Sequence, residues 1–284
     1  MNTQFWGPPG WELLHILTFN YPKNPTKKQK TEWELFFESI GFVLPCKYCR
    51  ESYKFFLKEN DTLFKNFWNK RESVIKWLYL IHNKVNNKLK NQKDDKGNPL
   101  LVGKNPSLKE VINKYTNFIK ESSWIDMPGW DFIHSIAFNY EPTKERKKWY
   151  PIFFNILFNI VPCRFDNCLQ VFKNVLERFP IETSLKSQES MICWVYSMHK
   201  YFSMYTNRRF QTFPVFFERI EQHRSGCEKN KKISTKNEGK INNTCRVKGK
   251  RDPPVCLLRC DIDGQFINPR LDGFNIFTSF ISNI

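Results

Sequence analysis

The sharpest chemical signal in the chain is Leu44-Pro45-Cys46-Lys47-Tyr48-Cys49-Arg50, a cysteine pair with two residues between. Thiols at that spacing can close a disulfide with each other and exchange it with thiols of another molecule. The proline step ahead of Cys46 reads as a helix start, where unpaired backbone N–H groups stabilise a thiolate. Lys47 and Arg50 add positive charge beside it. Zinc is the main rival for such a pair, but it takes four ligands, usually from a second close pair. Cys163 and Cys168 are more widely spaced and belong to a second sequence unit, so no metal is expected. A thioredoxin-like motif needs alternating strands and helices, and the patterning around Cys46 is helical.

A second group suits a flat heteroaromatic ligand. Trp11 and His15 are one helical turn apart, as are His82 and Asn86, so each pair shares a helix face. Trp77 precedes the run His82-Asn83-Lys84-Val85-Asn86-Asn87-Lys88. Rings can stack on such a ligand, amides and imidazoles can hydrogen-bond its edges, and Lys88 can meet a phosphate. The competing reading makes Trp11 and Trp77 core residues and leaves the polar ones solvated. Taken one residue at a time, that competing reading is the favoured one.

Helices must position these groups. Pro8 and Pro9 suit a helix start; Trp11, Leu14, Leu17 and Thr18 follow at helical spacing, and Pro22 closes the segment. Thr26 is the expected N-cap of a helix carrying Trp33, Phe36, Phe37 and Ile40. A third helix runs from the Pro45–Cys46 step through Tyr53 and Phe56. A fourth, over residues 71–90, has the apolar stripe Trp77, Ile81, Val85 and Leu89. Ser107-Leu108-Lys109-Glu110 has capping-box form and opens a short fifth. Strand-type alternation is nearly absent.

The pattern then occurs again. Trp11…His15 returns as Trp130…His134, Phe19-Asn20-Tyr21 as Phe138-Asn139-Tyr140, and Trp77…His82 as Trp194…His199. Trp33, Phe36 and Phe37 are matched to Trp149, Phe153 and Phe154, and Pro45-Cys46 to Pro162-Cys163. The offset is nearly constant, which marks a tandem duplication. The expected architecture is all-α: a four-helix bundle with a short fifth helix over residues 1–122, a second bundle of related topology over 123–223, and a basic, largely irregular tail over 224–284.

Together W-x3-H, P-C-x-x-C and W-x4-H-N-x-V-N-x-K, in this order over residues 5–90, resemble the Erv/ALR family of FAD-linked sulfhydryl oxidases. The resemblance implies a flavin at the mouth of a four-helix bundle. Cys49 would lie beside the isoalloxazine, and Cys46 would exchange with incoming thiols. Gly7, Trp11, His15, Tyr21, Trp77, His82, Asn83, Val85, Asn86 and Lys88 match positions that line the FAD pocket. The implied partners are thiol-containing protein substrates and O2, which is reduced to hydrogen peroxide. A homodimer, or a pseudo-dimer within the chain, is implied as well. This sequence lacks the cysteine that some members carry after the H-N-x-V-N helix. Cys227, Cys245, Cys256 and Cys260 in the tail are candidates for a shuttle pair.

The second copy departs from the pattern. Lys200, Phe202 and Ser203 stand where Asn83, Val85 and Asn86 stand in the first, so it is expected to bind no flavin. The start of the chain shows no secretory signal, and no apolar run reaches membrane-spanning length. Nine cysteines then read as catalytic or free thiols rather than a disulfide framework. The chain resembles sulfhydryl oxidases of large DNA viruses, which implies host cytoplasm or virion; a mitochondrial intermembrane space is the other choice. The net charge of +17 accompanies abundant Lys, Asn, Phe and Ile and is read as compositional bias, not as a nucleic-acid footprint. A catalytically dead helical scaffold and a basic nucleic-acid-binding protein are the remaining alternatives.

Overall fold

Capping chemistry sets the helices. In the computed structural model, which describes residues 2–94, 96–121, 129–162, 168–206, 208–224 and 251–254, Asn2 accepts a hydrogen bond from the Gln4 amide and opens α1 (Thr3–Asn20). The helix thus starts ahead of Pro8 and Pro9, which both lie inside it. Each proline removes an early backbone hydrogen bond. Tertiary contacts hold that weakened turn: Trp6 packs on Phe132 at 5.8 Å between ring centroids, and Phe5 stacks on His223 at 3.9 Å.

Thr26 forms a full capping box with Gln29 at the head of α2 (Lys27–Val43). Cys46 is itself the N-cap of α3 (Lys47–Phe56). α4 covers Arg71–Asn91, and Ser107 with Glu110 caps α5 (Leu108–Glu121). The second copy follows the same order with α6 (Trp130–Phe138), α7 (Lys144–Ile160), α8 (Cys168–Arg178), α9 (Gln188–Tyr205) and α10 (Phe213–Glu221). Among the described residues there is no β-strand, as the all-α expectation required. No helix among them is long and apolar enough to cross a membrane.

Aligning the copies at their caps changes one sequence pairing. Thr143 repeats Thr26 as N-cap, and this register sets Trp33 against Tyr150 rather than Trp149. Trp33 packs on Tyr21 at 5.1 Å and Tyr150 on Tyr140 at 4.6 Å, the same contact in each copy. Trp149 instead stacks on Phe42 of α2, at 4.3 Å and 6°.

Like packs on like. α1 lies against its counterpart α6, and α2 against its counterpart α7. One hydrophobic cluster runs through both copies. A buried side chain such as Phe36 or Phe153 contributes about 1.5–3 kcal/mol, so parting the copies would expose a large fraction of the stabilising surface. Two glycines allow the close approach. A Cβ at Gly10 would sit 3.0 Å from the Phe132 ring, and one at Gly129 would sit 2.6 Å from Leu13 Cβ. Asn20 adds a hydrogen bond from its side chain to the Ile160 carbonyl, at 2.9 Å.

Two sequence expectations are adjusted. Cys193, buried on α9, is disulfide-bonded, so the cysteines are not uniformly free. Within the span read as an irregular tail, Arg251 is fixed to the second copy: its Nε and Nη2 reach the buried Glu221 carboxylate at 3.0 and 2.7 Å. Cys163, Cys227, Cys245, Cys256 and Cys260 lie outside the described residues.

Candidate functional site

The cysteine pair sits on a helix that is seated with little freedom. A Cβ on Gly41 of α2 would meet Lys54 Cγ of α3 at 3.0 Å, so glycine lets α3 approach. Tyr53 donates its hydroxyl to the Phe37 carbonyl at 2.9 Å, and Lys54 Nζ lies 3.5 Å above the Phe42 ring. Arg50 Nη1 donates to the Leu44 carbonyl at 2.6 Å and so holds the turn that presents Cys46.

Cys46 and Cys49 are free thiols, half-buried against the core. The Cys49 amide donates to Cys46 Sγ at 3.2 Å. Cys46 is pushed down to about 6: a hydrogen bond from the Cys49 thiol contributes most, then, against the cost of burial, the Cys49 amide and the nearby positive charges including Arg50. Cys49 moves the other way, because its proton is held by Cys46 and burial disfavours a second charge; Lys88 and Arg50 oppose this in part. At neutral pH the reduced pair therefore carries one negative charge, on Cys46.

Beyond α3 lies a groove against α4, with a volume of about 580 Å³. Ser52 and Lys88 face each other across it, and Lys88 Nζ donates to Ser52 Oγ. Lys84 is tied to Glu59 at 2.6 Å and Asp61 at 3.0 Å. Toward α1, Trp11 stacks on His82 at 3.8 Å and 8°. His15 Nε2 and His82 Nδ1 share a hydrogen bond of 3.0 Å, and Tyr115 of α5 stacks on His15 at 4.7 Å. Burial lowers both histidines, His15 to about 3 and His82 to about 4. Both are neutral near pH 7, so their ring nitrogens act as hydrogen-bonding groups and not as charges.

The structure sorts the candidates from the sequence into three sets. Trp11, His82, Asn83, Val85, Asn86 and Lys88 are half-buried in the first copy, and His15 is buried against His82. The amides of Asn83 and Asn86 are in no hydrogen bond among the described residues. Gly7 lies one turn before Trp11, and a Cβ there would meet nothing within 4 Å. Tyr21 and Trp77 are instead core residues with their polar atoms engaged. Tyr21 donates to the Trp68 carbonyl at 2.6 Å and Trp77 to the Thr62 carbonyl at 3.2 Å. Sequence reasoning missed Ser52 and Tyr115. Ser52 follows Cys49 by one turn, which was a usable signal; Tyr115 had only its place on an amphipathic helix.

A model of the Erv1/Alr family matches this chain twice, over residues 9–104 and 128–212. The chain belongs to the Erv1/Alr family. Among its relatives, a probable FAD-linked sulfhydryl oxidase of Acanthamoeba polyphaga mimivirus is 38% identical over 86 residues, covering 30% of this chain and 59% of that protein. The mitochondrial FAD-linked sulfhydryl oxidase of Saccharomyces cerevisiae is 34% identical over 89 residues, covering 31% and 45%. An FAD-linked sulfhydryl oxidase of African swine fever virus is 35% identical over 88 residues, covering 30% and 67%. The chain spans about half the length of the first two of these relatives.

The second Erv1/Alr copy keeps the frame and fills the site. Trp130 stacks on His199 at 3.9 Å and 6°, and His134 Nε2 meets His199 Nδ1 at 2.7 Å. Around this trio, however, Phe202 stacks on Phe172 at 5.3 Å, and Phe210 and Phe216 close over the two histidines at 4.4 Å each. His199, Lys200, Phe202 and Ser203 are all buried, where their counterparts His82, Asn83, Val85 and Asn86 are half-open. One Erv1/Alr copy thus presents an accessible ring-and-amide face, and the other packs the same face shut.

Proposed function

We propose that the chain is an FAD-dependent thiol oxidase that forms disulfides in substrate proteins through Cys46 and Cys49. The observation that carries this reading is the joint placement, in the first copy, of a cysteine pair whose Cys46 thiol is held low and an open face of stacked rings and unengaged side-chain amides. The residues fit FAD. Trp11 and His82 offer aromatic faces, Asn83 and Asn86 offer amide donors and acceptors, and Lys88 offers a positive charge at the Cys49 side. FAD, when bound, accepts the two electrons released by the dithiol and delivers them to O2, giving hydrogen peroxide.

The chain's own part is thiol chemistry. In the oxidised pair, a substrate thiolate attacks Cys46 Sγ; a mixed disulfide forms and Cys49 leaves as a thiolate. A second substrate thiol attacks the substrate sulfur, its proton is lost, and the S–Cys46 bond breaks. The substrate then carries a disulfide, and Cys46 and Cys49 have gained two electrons and one proton, which Cys49 holds. The Cys49 amide and thiol hold the Cys46 thiolate until the pair gives those electrons up and closes again.

On this reading residues 1–122 are the catalytic unit, 123–223 a pseudo-oxidase that holds no flavin, and 224–284 a basic tail. The second copy takes the place of a homodimer partner, supported by the packing of counterpart helices on each other. Thiol-bearing proteins are the substrates. Relatives from mimivirus and African swine fever virus support a viral setting, and host cytoplasm or virion is the site of action proposed for it. The deciding experiment is a visible spectrum of the purified chain with flavin counted against protein. One FAD per chain, with thiol-driven oxygen uptake lost in Cys46→Ser but flavin retained, is the expected result. A protein that stays colourless after incubation with FAD overturns the reading, and two flavins per chain overturn the pseudo-oxidase assignment.

A further inference from the structure

The turn that carries the cysteine pair borders the second copy. Phe36 of α2 meets Phe153 of α7 and, further along α2, Phe42 meets Trp149, so the two helices run antiparallel. Continuing that register sets the end of α2, at Val43 and Leu44, against the first turn of α7, where Arg146 stands. The Leu44 carbonyl is the one that receives Arg50, at the turn that presents Cys46. Guanidinium groups from the two copies thus converge on one turn of chain.

The electrostatics agree with this register. Burial lowers Arg50 from its ordinary value and Arg146 lowers it further, while Tyr150, Cys46 and Glu141 oppose the shift. Three of those four groups, all but Cys46, belong to the second copy. Tyr150 is neutral, because burial raises its hydroxyl, which donates to the Ile136 carbonyl at 3.1 Å. The charges that face Arg50 from the second copy are therefore those of Arg146 and Glu141, and these two pair with each other at 3.7 Å.

Arg146 is fixed in place at a cost to its own helix. It is buried, its backbone amide donates to Thr143 Oγ1 at 3.2 Å, and its Nη1 donates to the Asn139 carbonyl. In the first copy the same position is Gln29, whose side chain accepts from the Thr26 amide and completes the capping box. A guanidinium has no acceptor, so the second copy gives up that half of the box. What the guanidinium supplies instead is charge. A positive group on the far side of Arg50 disfavours a swing of Arg50 toward the second copy. Glu141, the carboxylate that would draw it there, is already engaged. We propose that Arg146 is a positioning residue for the cysteine pair: it repels Arg50, holds Glu141, and so keeps the Arg50 guanidinium on the turn that presents Cys46. The second copy then contributes to the thiol chemistry of the first, and not only to its packing. The inference rests on the oxidase reading for the role of Cys46 alone.

The test is the pH profile of Cys46 alkylation by iodoacetamide in the reduced full chain, which needs neither flavin nor O2. The groups acting on Cys46 are Cys49, the chain's amino terminus and Arg50, so a displaced Arg50 is read at the thiol. Arg146→Gln is expected to raise the midpoint by roughly 0.3 pH unit, because Glu141 is then free to draw Arg50 away. Arg146→Met, which keeps the packing of the stem, gives the same reading if the glutamine variant does not fold. Arg146→Lys keeps the charge and should stay near the parent. Adding Glu141→Gln to Arg146→Gln should return the midpoint toward the parent, a rescue that a general loosening of the fold would not give. In an Arg50→Gln background, Arg146→Gln should change nothing further. A parent-like midpoint in Arg146→Gln, an equal rise in the Arg50→Gln background, or a double variant shifted as far as the single would overturn the inference. If the profile moves as expected in a chain that takes up no FAD, the oxidase reading falls and this one stands.

Discussion

Phe36 and Phe153 occupy the same position in the two copies and stack on each other, 5.4 Å apart at 17°. Two equivalent residues can meet in this way only on a local two-fold axis. The flanking contacts obey the same symmetry. Gly10 faces Phe132 while Gly129 faces Leu13, and Leu13 and Phe132 are counterparts. The duplicated chain thus makes within itself the kind of self-complementary interface that two subunits would make, and covers its own apolar faces.

Gly129 is where that interface is most sensitive. Its φ of +94° is left-handed, and an added Cβ would overlap Leu13. Gly129→Ala should cost about 2–4 kcal/mol, combining backbone strain with overpacking. Gly103 has a φ of +89° with nothing near its absent Cβ, so Gly103→Ala should cost only the strain, about 1–2 kcal/mol. Urea unfolding of both variants makes the comparison; equal losses would mean that the Gly129 contact does not bind the copies together.

The reduced cysteine pair has a defined pH signature. Alkylation of Cys46 by iodoacetamide should rise with a midpoint near its depressed value of about 6. Because the Cys49 thiol is the largest cause, Cys49→Ala should move the midpoint up toward the ordinary thiol range, and Arg50→Gln should move it less. The folded value lies below the unfolded one. Cys46 therefore stabilises the reduced fold increasingly as pH rises above about 6, and that contribution is lost as pH falls through it. A midpoint in Cys49→Ala equal to the parent's would refute the assignment of charge.

Three buried histidines and the half-buried His82 predict acid sensitivity. His15 and His82 sit at about 3 and 4, and His134 and His199 are also pushed well below the ordinary value by burial. Between those values and about 6.5 the unfolded chain binds protons that the fold refuses. Stability is thus fully present above about 6.5 and falls as pH is lowered, by up to about 1.4 kcal/mol per pH unit for each histidine. The double variant His134→Phe/His199→Phe should flatten the slope of unfolding free energy between pH 6 and pH 5. If the slope is unchanged, these two rings are protonated within the fold.

Flavin retention should separate the open face from the core. Lys88→Met is expected to weaken FAD binding roughly tenfold, read by flavin release on dialysis. Tyr21→Phe should leave flavin affinity nearly intact but lose about 1 kcal/mol of stability, since its hydroxyl is committed to the Trp68 carbonyl. If Tyr21→Phe releases flavin as readily as Lys88→Met, Tyr21 serves the cofactor after all.

The sequence by itself determined what depends on neighbours along the chain. Thr26 with Gln29 and Ser107 with Glu110 mark helix starts because caps are satisfied within one turn. Cys46 reads as the first residue of a redox helix, and the Trp–His spacings reveal the duplication, for the same reason. Only the tertiary structure decided what depends on residues far apart. The start of α1 at Thr3, ahead of its prolines, rests on Phe132 and His223, and the pairing of Trp33 with Tyr150 rests on Tyr21 and Tyr140. Ser52 reaches Lys88 only through the packing of α3 against α4. The contrast between the two copies is the clearest case. Both carry the same tryptophan and histidines at the same spacing, and one face is open while the other is shut because Phe172, Phe202, Phe210 and Phe216, drawn from separate segments, converge on the second. Occupied volume is a property of three-dimensional packing, and no local pattern of residues encodes it.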